Sequence, residues 1–180
     1  MKSTERTIEK LQTIQLTSGD FRLEYCPNPL GIEKYFSLEV RLASFPPDGI
    51  AGVCELDVFY LIKRGDEVVG YFKAVDLFFD GVIELHGSYN GPTDFSVKKY
   101  FFLGKNFAQT VQKMFPKKQI LTYIQKDNKK ILGFLKWLKF LYVNKQPADS
   151  RYILYRYADT SMFSIKEKIL HYLFTFNRPR

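Results

Sequence analysis

Two side chains that can exchange protons, Glu84 and His86, stand two residues apart in the run VIELHG at positions 82–87. Side chains two residues apart on a strand point to the same face, so a strand here would place the carboxylate and the imidazole side by side. An unperturbed histidine titrates near pH 6.5, which suits proton transfer near neutral pH. The alternative interpretation is structural: a polar residue at the end of a strand, held by hydrogen bonds.

Lysines dominate one segment of the chain. Between Ser96 and Lys145 there are twelve lysines and one acid, Asp127, so the segment carries +11 while the remainder carries −3. This asymmetry predicts an anionic partner for the basic 96–145 segment, namely a phosphorylated cofactor, a nucleic acid or an acidic protein surface. Lysines that only solvate helix faces are the alternative, and no signature of a known DNA- or RNA-binding module is present.

Cysteine and histidine counts argue against a metal protein. Cys26 and Cys54 cannot form a metal site alone, and two histidines, His86 and His171, are too few for a histidine-rich centre. The cysteines are interpreted as small buried thiols, with a disulfide as the alternative. No apolar run approaches the roughly 18–20 residues of a membrane helix, and the polar start has no signal-peptide core. The sequence therefore predicts a cytoplasmic protein with no membrane partner.

The elements that would position Glu84 and His86 follow from hydrophobic spacing. An arm or short helix is predicted over 1–20, a strand over 21–26 and a helix over 31–44. Three antiparallel strands joined by tight turns then follow, over 54–63, 68–79 and 82–87. The long segment 95–115 has apolar residues at three- to four-residue steps, which predicts a helix.

The last part of the chain alternates between strands and helices. Strands are predicted over 120–124, 140–143 and 151–157. Asp127 is a plausible N-cap for a helix between the first two strands, and Trp137 on that helix is predicted to lie in the core. A final helix over 164–176 begins with Ser164 and Glu167 at capping-box spacing.

This order predicts a mixed α/β fold whose sheet is twisted, mostly antiparallel and flanked by helices. At 180 residues the chain is long enough for one domain with a substantial core. We place that domain at 21–157, preceded by an arm or short helix at 1–20. A C-terminal helical extension of the same domain follows at 158–180.

A spaced motif within this order resembles the GNAT superfamily of N-acetyltransferases. Members often carry Asn-x-x-Ala-x-x-x-Tyr-x-x-x-Gly-Phe between two strands. Here Asn128 and Phe140 keep the first and last places, while Ile131, Leu135 and Lys139 replace the Ala, Tyr and Gly. The resemblance covers roughly residues 21–157 and implies the GNAT fold.

The same resemblance implies a cofactor, acetyl-CoA, held by the strand at 82–87, the loop at 88–94 and the start of the following helix. On this mapping Leu85, Gly87, Gly91, Lys98, Lys99 and Asn128 bind the cofactor. A helix start suits the pyrophosphate because free N–H groups and the helix dipole attract anions. The loop SYNGPTD lacks the family's usual Gln/Arg-x-x-Gly-x-Gly/Ala pattern, and Asp94 would oppose a phosphate.

Family resemblance also implies that Glu84 or His86 is the base that frees an acceptor amine. The family's acid, a tyrosine, is replaced by Leu135, with Tyr89, Tyr123 and Tyr142 as substitutes among which the sequence does not choose. The resemblance leaves two functions open, beside a third hypothesis of a nucleic-acid binder based on the basic segment. One is acetyl transfer from acetyl-CoA to an amine. The alternative is a catalytically eroded GNAT-fold protein with an interaction or structural role. In this respect the chain resembles tailed-bacteriophage proteins whose strand ends in a His-Gly pair like His86-Gly87. Some of those proteins are associated with virion assembly.

Overall fold

The computed structural model describes residues 2–27, 57–77, 81–89, 96–125, 133, 135, 137–143, 152–159, 161 and 163–175. The described elements are, in chain order, α1 (Lys2–Gln12), β1 (Thr17–Ser18), β2 (Phe21–Cys26), β3 (Asp57–Arg64), β4 (Glu67–Leu77), β5 (Val82–Tyr89), α2 (Ser96–Met114), β6 (Gln119–Gln125), β7 (Phe140–Tyr142), β8 (Tyr152–Tyr157) and α3 (Ile165–Thr175).

The hydrogen-bonded order of the strands is β1-β2-β3-β4-β5-β6-β8-β7. The registers of β1 through β4 are antiparallel, as are those of β6, β8 and β7, whereas β5 and β6 run parallel. The predicted fold class is thereby confirmed. Two features differ from the sequence prediction: β1 was not foreseen, and β5 continues through Ser88 and Tyr89, which were assigned to a loop. The predicted helix over 31–44 and the Asp127 cap lie outside the described residues.

Contacts divide the chain into two compact units, Met1–Asp76 with His86–Asn106 and Leu77–Leu85 with Phe107–Arg180. In the first unit, α1 packs on β2 and β3. The Tyr60 hydroxyl donates to the Leu11 carbonyl, Gln12 donates to the Tyr25 hydroxyl at 2.9 Å, and Leu11 is fully buried. Of the predicted arm or short helix at 1–20, residues 2–12 are thus helical, and residues 17–18 form a short strand.

In the second unit, β5 pairs with β6 over Val82–Glu84 and Gln119–Leu121, and β6 continues in an antiparallel pairing with β8. Val82, Leu121 and Leu154 form a buried apolar cluster on these three strands. Because Val82 and Leu121 lie on neighbouring strands, the parallel pairing is fixed by burial as well as by its hydrogen bonds. None of the helices in the described part of the chain is long and apolar enough to cross a membrane.

Candidate functional site

Strand β5 carries four of the residues predicted to form the site. Leu85 is buried, while Glu84 and His86 on either side of it are half-buried, as expected when successive side chains alternate between the faces of a strand. Glu84 pairs in register with Leu121 of β6 in the second unit. His86 lies two residues further along and belongs to the first unit, with Gly87 and the start of α2.

Gly87 fills a position that no larger residue could occupy without displacing its neighbours. A Cβ atom there would lie 2.7 Å from Cδ1 of Phe72 and 3.0 Å from the hydroxyl of Tyr100. Phe72 comes from β4 and Tyr100 from the first turns of α2. Glycine at this position is thus required for α2 and β4 to pack against the end of β5.

An aromatic cluster surrounds Gly87. The ring of Tyr100 lies 5.4 Å from that of Phe72, 4.8 Å from that of Tyr89 and 5.3 Å from that of Phe101, centroid to centroid. Burial raises the pKa of Tyr100 above its usual range, and Tyr71 and Tyr89 act in the same direction. The Tyr100 hydroxyl therefore stays protonated at neutral pH and can donate a hydrogen bond next to Gly87.

The amino end of α2 has the properties of an anion site. The helix begins at Ser96, close to the predicted start, and its first turn contains no acidic residue. The N–H groups of its first turn have no partner within the helix, and together with the helix dipole they favour a negative charge there. Lys98 and Lys99 are both exposed on this turn. Asp94 and Gly91, predicted to lie in the preceding loop, are outside the described residues.

Lys99 is held by an ion pair with a distant part of the chain. Its ammonium lies 2.6 Å from Oδ1 of Asp20, and the other oxygen of Asp20 lies 2.7 Å from Nε of Arg64. The aliphatic stem of Lys99 lies over Gly19, where a Cβ would be 3.2 Å from it. Lys99 therefore secures α2 to the turn before β2, and Asp20 offsets part of the charge that was predicted to bind phosphate.

The Asp20 cluster should be visible in the acid stability of the protein. Hydrogen bonding from Lys99, with a smaller contribution from Arg64, lowers the pKa of Asp20 from 3.8 to about 2. A depressed carboxyl pKa adds stability above the unfolded-state pKa, and that stability is lost as the pH falls through the folded-state pKa. The stability difference between wild type and Asp20→Asn should therefore shrink as the pH falls from 3.8 to about 2.

Chemical denaturation of both proteins across this pH range measures that difference. Asp66→Asn, which removes an exposed carboxylate from the turn between β3 and β4, controls for the loss of one charge. If the difference in the free energy of unfolding between wild type and Asp20→Asn is the same at both ends of the pH range, the cluster does not stabilise the fold.

The motif between positions 128 and 140 is described at its last three places, Leu135, Lys139 and Phe140. Leu135 is helical and buried, Leu138 is buried, and the ring of Phe140 packs 5.1 Å from that of Tyr157. Lys139 has φ of 70°, the left-handed conformation that glycine adopts most readily. The backbone thus keeps the conformation that the family's glycine favours, although the side chain has changed. Asn128 and Ile131 lie outside the described residues.

Replacing Lys139 with glycine is expected to stabilise the protein by about 1 kcal/mol, because a non-glycine residue in the left-handed region is strained by about that amount. The free energy of unfolding from denaturant titration measures the gain. Lys105→Gly, within helix α2, is the matched control and should lose about 1 kcal/mol. If both variants lose stability equally, the left-handed strain at Lys139 is not significant.

The tyrosines considered as substitute acids are dispersed. Tyr89 packs on Tyr100, Tyr123 packs beside the Val82 cluster in the second unit, and Tyr142 is 59% exposed. None is selected by its contacts, and Leu135, in the place of the family's tyrosine, is buried and cannot transfer a proton. Trp137 was predicted to lie in the core; it is instead 42% exposed.

The residues that sequence reasoning missed are Phe72, Tyr100 and Gly104. Gly104 lies within α2, and a Cβ there would be 3.3 Å from Cζ of Phe72. A glycine in a helix interior costs about 1 kcal/mol relative to alanine, so its presence was a usable signal of close packing. Among the residues that the structure describes, no group of three or more His, Cys, Asp or Glu could hold a metal ion.

The chain is similar to known proteins in structure but not in sequence. No protein-family model matches the chain, and no curated protein is significantly similar in sequence. An acetyltransferase from Bacillus subtilis, solved in complex with CoA, superposes with a TM-score of 0.58 and 11% identity over 76% of this chain and 97% of that one.

Two other solved structures are similar to a comparable extent. A spermidine N-acetyltransferase chimera that includes Vibrio cholerae sequence gives a TM-score of 0.55 at 8% identity, over 76% of this chain and 93% of that one. A Sphaerobacter thermophilus protein assigned as an acetyltransferase gives 0.54 at 15% identity, over 82% and 99%. At these identities the likeness shows the fold alone, and that fold is the GNAT fold.

Proposed function

We propose that this chain, which has the GNAT fold, is an acyltransferase that transfers an acetyl group from acetyl-CoA to an amine. The observation that supports this most directly is the shared fold with an acetyltransferase solved in complex with CoA, which extends over 76% of the chain. The acceptor amine is not specified by any described residue.

The described residues fit a CoA-type cofactor at the start of α2. No acidic residue stands in its first turn, and Lys98 is exposed there. Lys98 and the free N–H groups of the helix would hold the pyrophosphate. When bound, acetyl-CoA would supply the acetyl group as an activated thioester. The ion pair with Asp20 would reduce the charge that Lys99 offers to the cofactor.

His86 is our proposed base, with Glu84 as the alternative. An amine acceptor is protonated in neutral water and must lose a proton before its nitrogen can attack a carbonyl carbon. His86 lies directly before Gly87 on β5, beyond the part of the strand that is paired with β6, whereas Glu84 lies within that parallel pairing. His86 would accept the proton from the amine and pass it to solvent. The proposal assigns no general acid, since Leu135 cannot serve as one.

Binding of acetyl-CoA, measured by titration calorimetry, is the direct test. We expect binding at sub-millimolar cofactor, and Lys98→Glu should weaken it about tenfold, because reversing a charge beside a phosphate costs on the order of 1.4 kcal/mol. Lys105→Glu, further along α2, is the matched control and should bind as wild type does. If millimolar acetyl-CoA does not bind, the proposal is wrong.

A second candidate function is a GNAT-fold interaction or virion-assembly protein without catalysis. Two observations favour it: the family's tyrosine is a buried leucine, Leu135, and Lys99 is engaged by Asp20. The basic 96–145 segment would then bind a protein or a nucleic acid. Retention on a polyanion column that weakens steeply with salt would support nucleic-acid binding. If the protein acetylates any amine in a reaction that requires acetyl-CoA, this second candidate, which has no catalytic activity, is wrong.

A further inference from the structure

Helix α3 carries an apolar stripe on its exposed side. Ile165, Ile169, Tyr172 and Leu173 are between 50% and 79% exposed. Their steps of four, three and one residues place all four on one face of the helix. Scattered exposed apolar residues are ordinary on a protein surface, but four on a single helix face mark an interaction site. The stripe lies outside the basic 96–145 segment in sequence and includes none of the residues proposed for the active site.

The stripe stands on a helix whose start is already fixed. The backbone N–H of Ser164 donates to the Glu167 carboxylate at 2.8 Å, and the N–H of Glu167 donates to the Ser164 hydroxyl at 3.3 Å. This is the reciprocal capping box expected from the sequence. Because the first turn is ordered before any partner arrives, docking on this face would not carry the entropic cost of folding a helix.

Lysines line both sides of the stripe. Lys166 and Lys168 are exposed, and a rotation of about 100° per residue places them on opposite flanks of the face that carries Ile165 and Ile169. Glu167, between them in sequence, lies on the far side of the helix and is engaged in the capping box. The apolar stripe therefore has one lysine on each flank, both in the first turn of α3.

We propose that α3 docks into an apolar groove of a partner protein whose rim carries carboxylates. The spacing of Ile165, Ile169, Tyr172 and Leu173 matches the i, i+4, i+7, i+8 anchors of a helix that lies in a hydrophobic groove. A groove has walls, so carboxylates on its two rims would meet Lys166 and Lys168 at the same time as its floor covers the stripe. This docking does not depend on whether the chain transfers acetyl groups.

Two other occupants fit the same face less well. Parallel pairing of α3 with α3 of a second copy would bring the flanking lysines of the two helices together, which is repulsive. A membrane surface is flat and would contact only the outermost atoms of the stripe. Interfacial helices instead bind through a broad apolar face sunk into the headgroup region. A groove with an acidic rim satisfies both the apolar residues and the two lysines.

A pair of designed two-helix hairpins tests the proposal. Both have a groove lined by leucine; one has glutamate and the other lysine at the rim positions. Fluorescence anisotropy with the full chain should show that the glutamate-rimmed hairpin binds at least about tenfold more tightly than the lysine-rimmed one. Ile169→Asp should abolish this binding. Phe102→Ser, which removes an equally exposed aromatic residue from α2, is the matched control and should leave it unchanged.

The double variant Lys166→Glu/Lys168→Glu keeps the apolar stripe and changes only exposed positions, so it remains informative even if Ile169→Asp fails to fold. It should reverse the preference between the two hairpins. Equal affinity for both hairpins, or no binding to either, overturns the proposal. So does tighter binding to vesicles of phosphatidylserine and phosphatidylcholine, or dimerisation in sedimentation equilibrium that Ile169→Asp removes.

Discussion

His86→Ala is expected to lower the rate of acetyl transfer by about 10²–10⁴-fold, the usual contribution of a general base. The affinity for acetyl-CoA should stay within about twofold of wild type, because the imidazole acts on the acceptor amine and not on the cofactor. Its position supports this role: His86 is half-buried on β5, directly before Gly87 and in the same unit as the start of α2. Steady-state kinetics with a panel of amines, together with calorimetry, measures both quantities.

His171, the only other histidine in the sequence, provides the matched control. His171→Ala should retain wild-type rates, which would show that loss of an imidazole as such does not inactivate the protein. Glu84→Gln distinguishes the alternative base. If Glu84→Gln lowers the rate of acetyl transfer more than His86→Ala does, and His86→Ala keeps most of its activity, the base is Glu84 and our assignment is wrong.

The order of elements could be predicted from the sequence because it depends on local patterns. The alternation in 21–26 and the three- to four-residue spacing over 95–115 each predict one element from neighbouring residues, and β2 and α2 lie where these patterns place them. The hairpin strand β1 is two residues long and carries no such pattern. The extension of β5 through Tyr89 was missed because Gly87 was taken as the end of the strand, whereas its role is close packing.

The site was less predictable because its contacts join residues distant in sequence. Lys99 was expected to bind phosphate, but it pairs with Asp20, 79 residues away, and no local pattern connects the two. Trp137 was assigned to the core from helical spacing alone, which does not show whether another element covers that face. Lys139 is the opposite case. The family motif indicated a glycine conformation there, and the backbone adopts it without the glycine.

Glycine positions connect this fold to its site, since Gly70, Gly87 and Gly104 all permit close approach around β4 and β5. The ring of Phe72 occupies the space that a side chain at Gly87 or Gly104 would need. Gly70 lies against the backbone of Ser88 and Tyr89. The first two contacts involve a side chain that could move. The third involves main-chain atoms that could move only if the strands did. Substitution at Gly70 should therefore be the most damaging of the three.

Gly70→Ala is expected to destabilise the protein by about 3 kcal/mol. A Cβ at this position would overlap the carbonyl oxygen of Ser88 and lie 3.3 Å from Cα of Tyr89. Gly70 pairs with Ile62, next to the irregularity at Ile62 and Lys63 where the β3–β4 register shifts, a common setting for glycine in strands. Relief would require β4 to move away from the end of β5, which would also displace His86 and Gly87.

Gly133→Ala is the matched control, because Gly133 is helical and exposed and a Cβ there meets nothing within 4 Å. It should stabilise the protein by about 1 kcal/mol, since alanine has the higher helix propensity. The same added methyl group would thus have opposite effects at two positions, and denaturant titration of both variants measures them together. If Gly70→Ala is as stable as wild type, the end of β5 does not pack against β4 as closely as described.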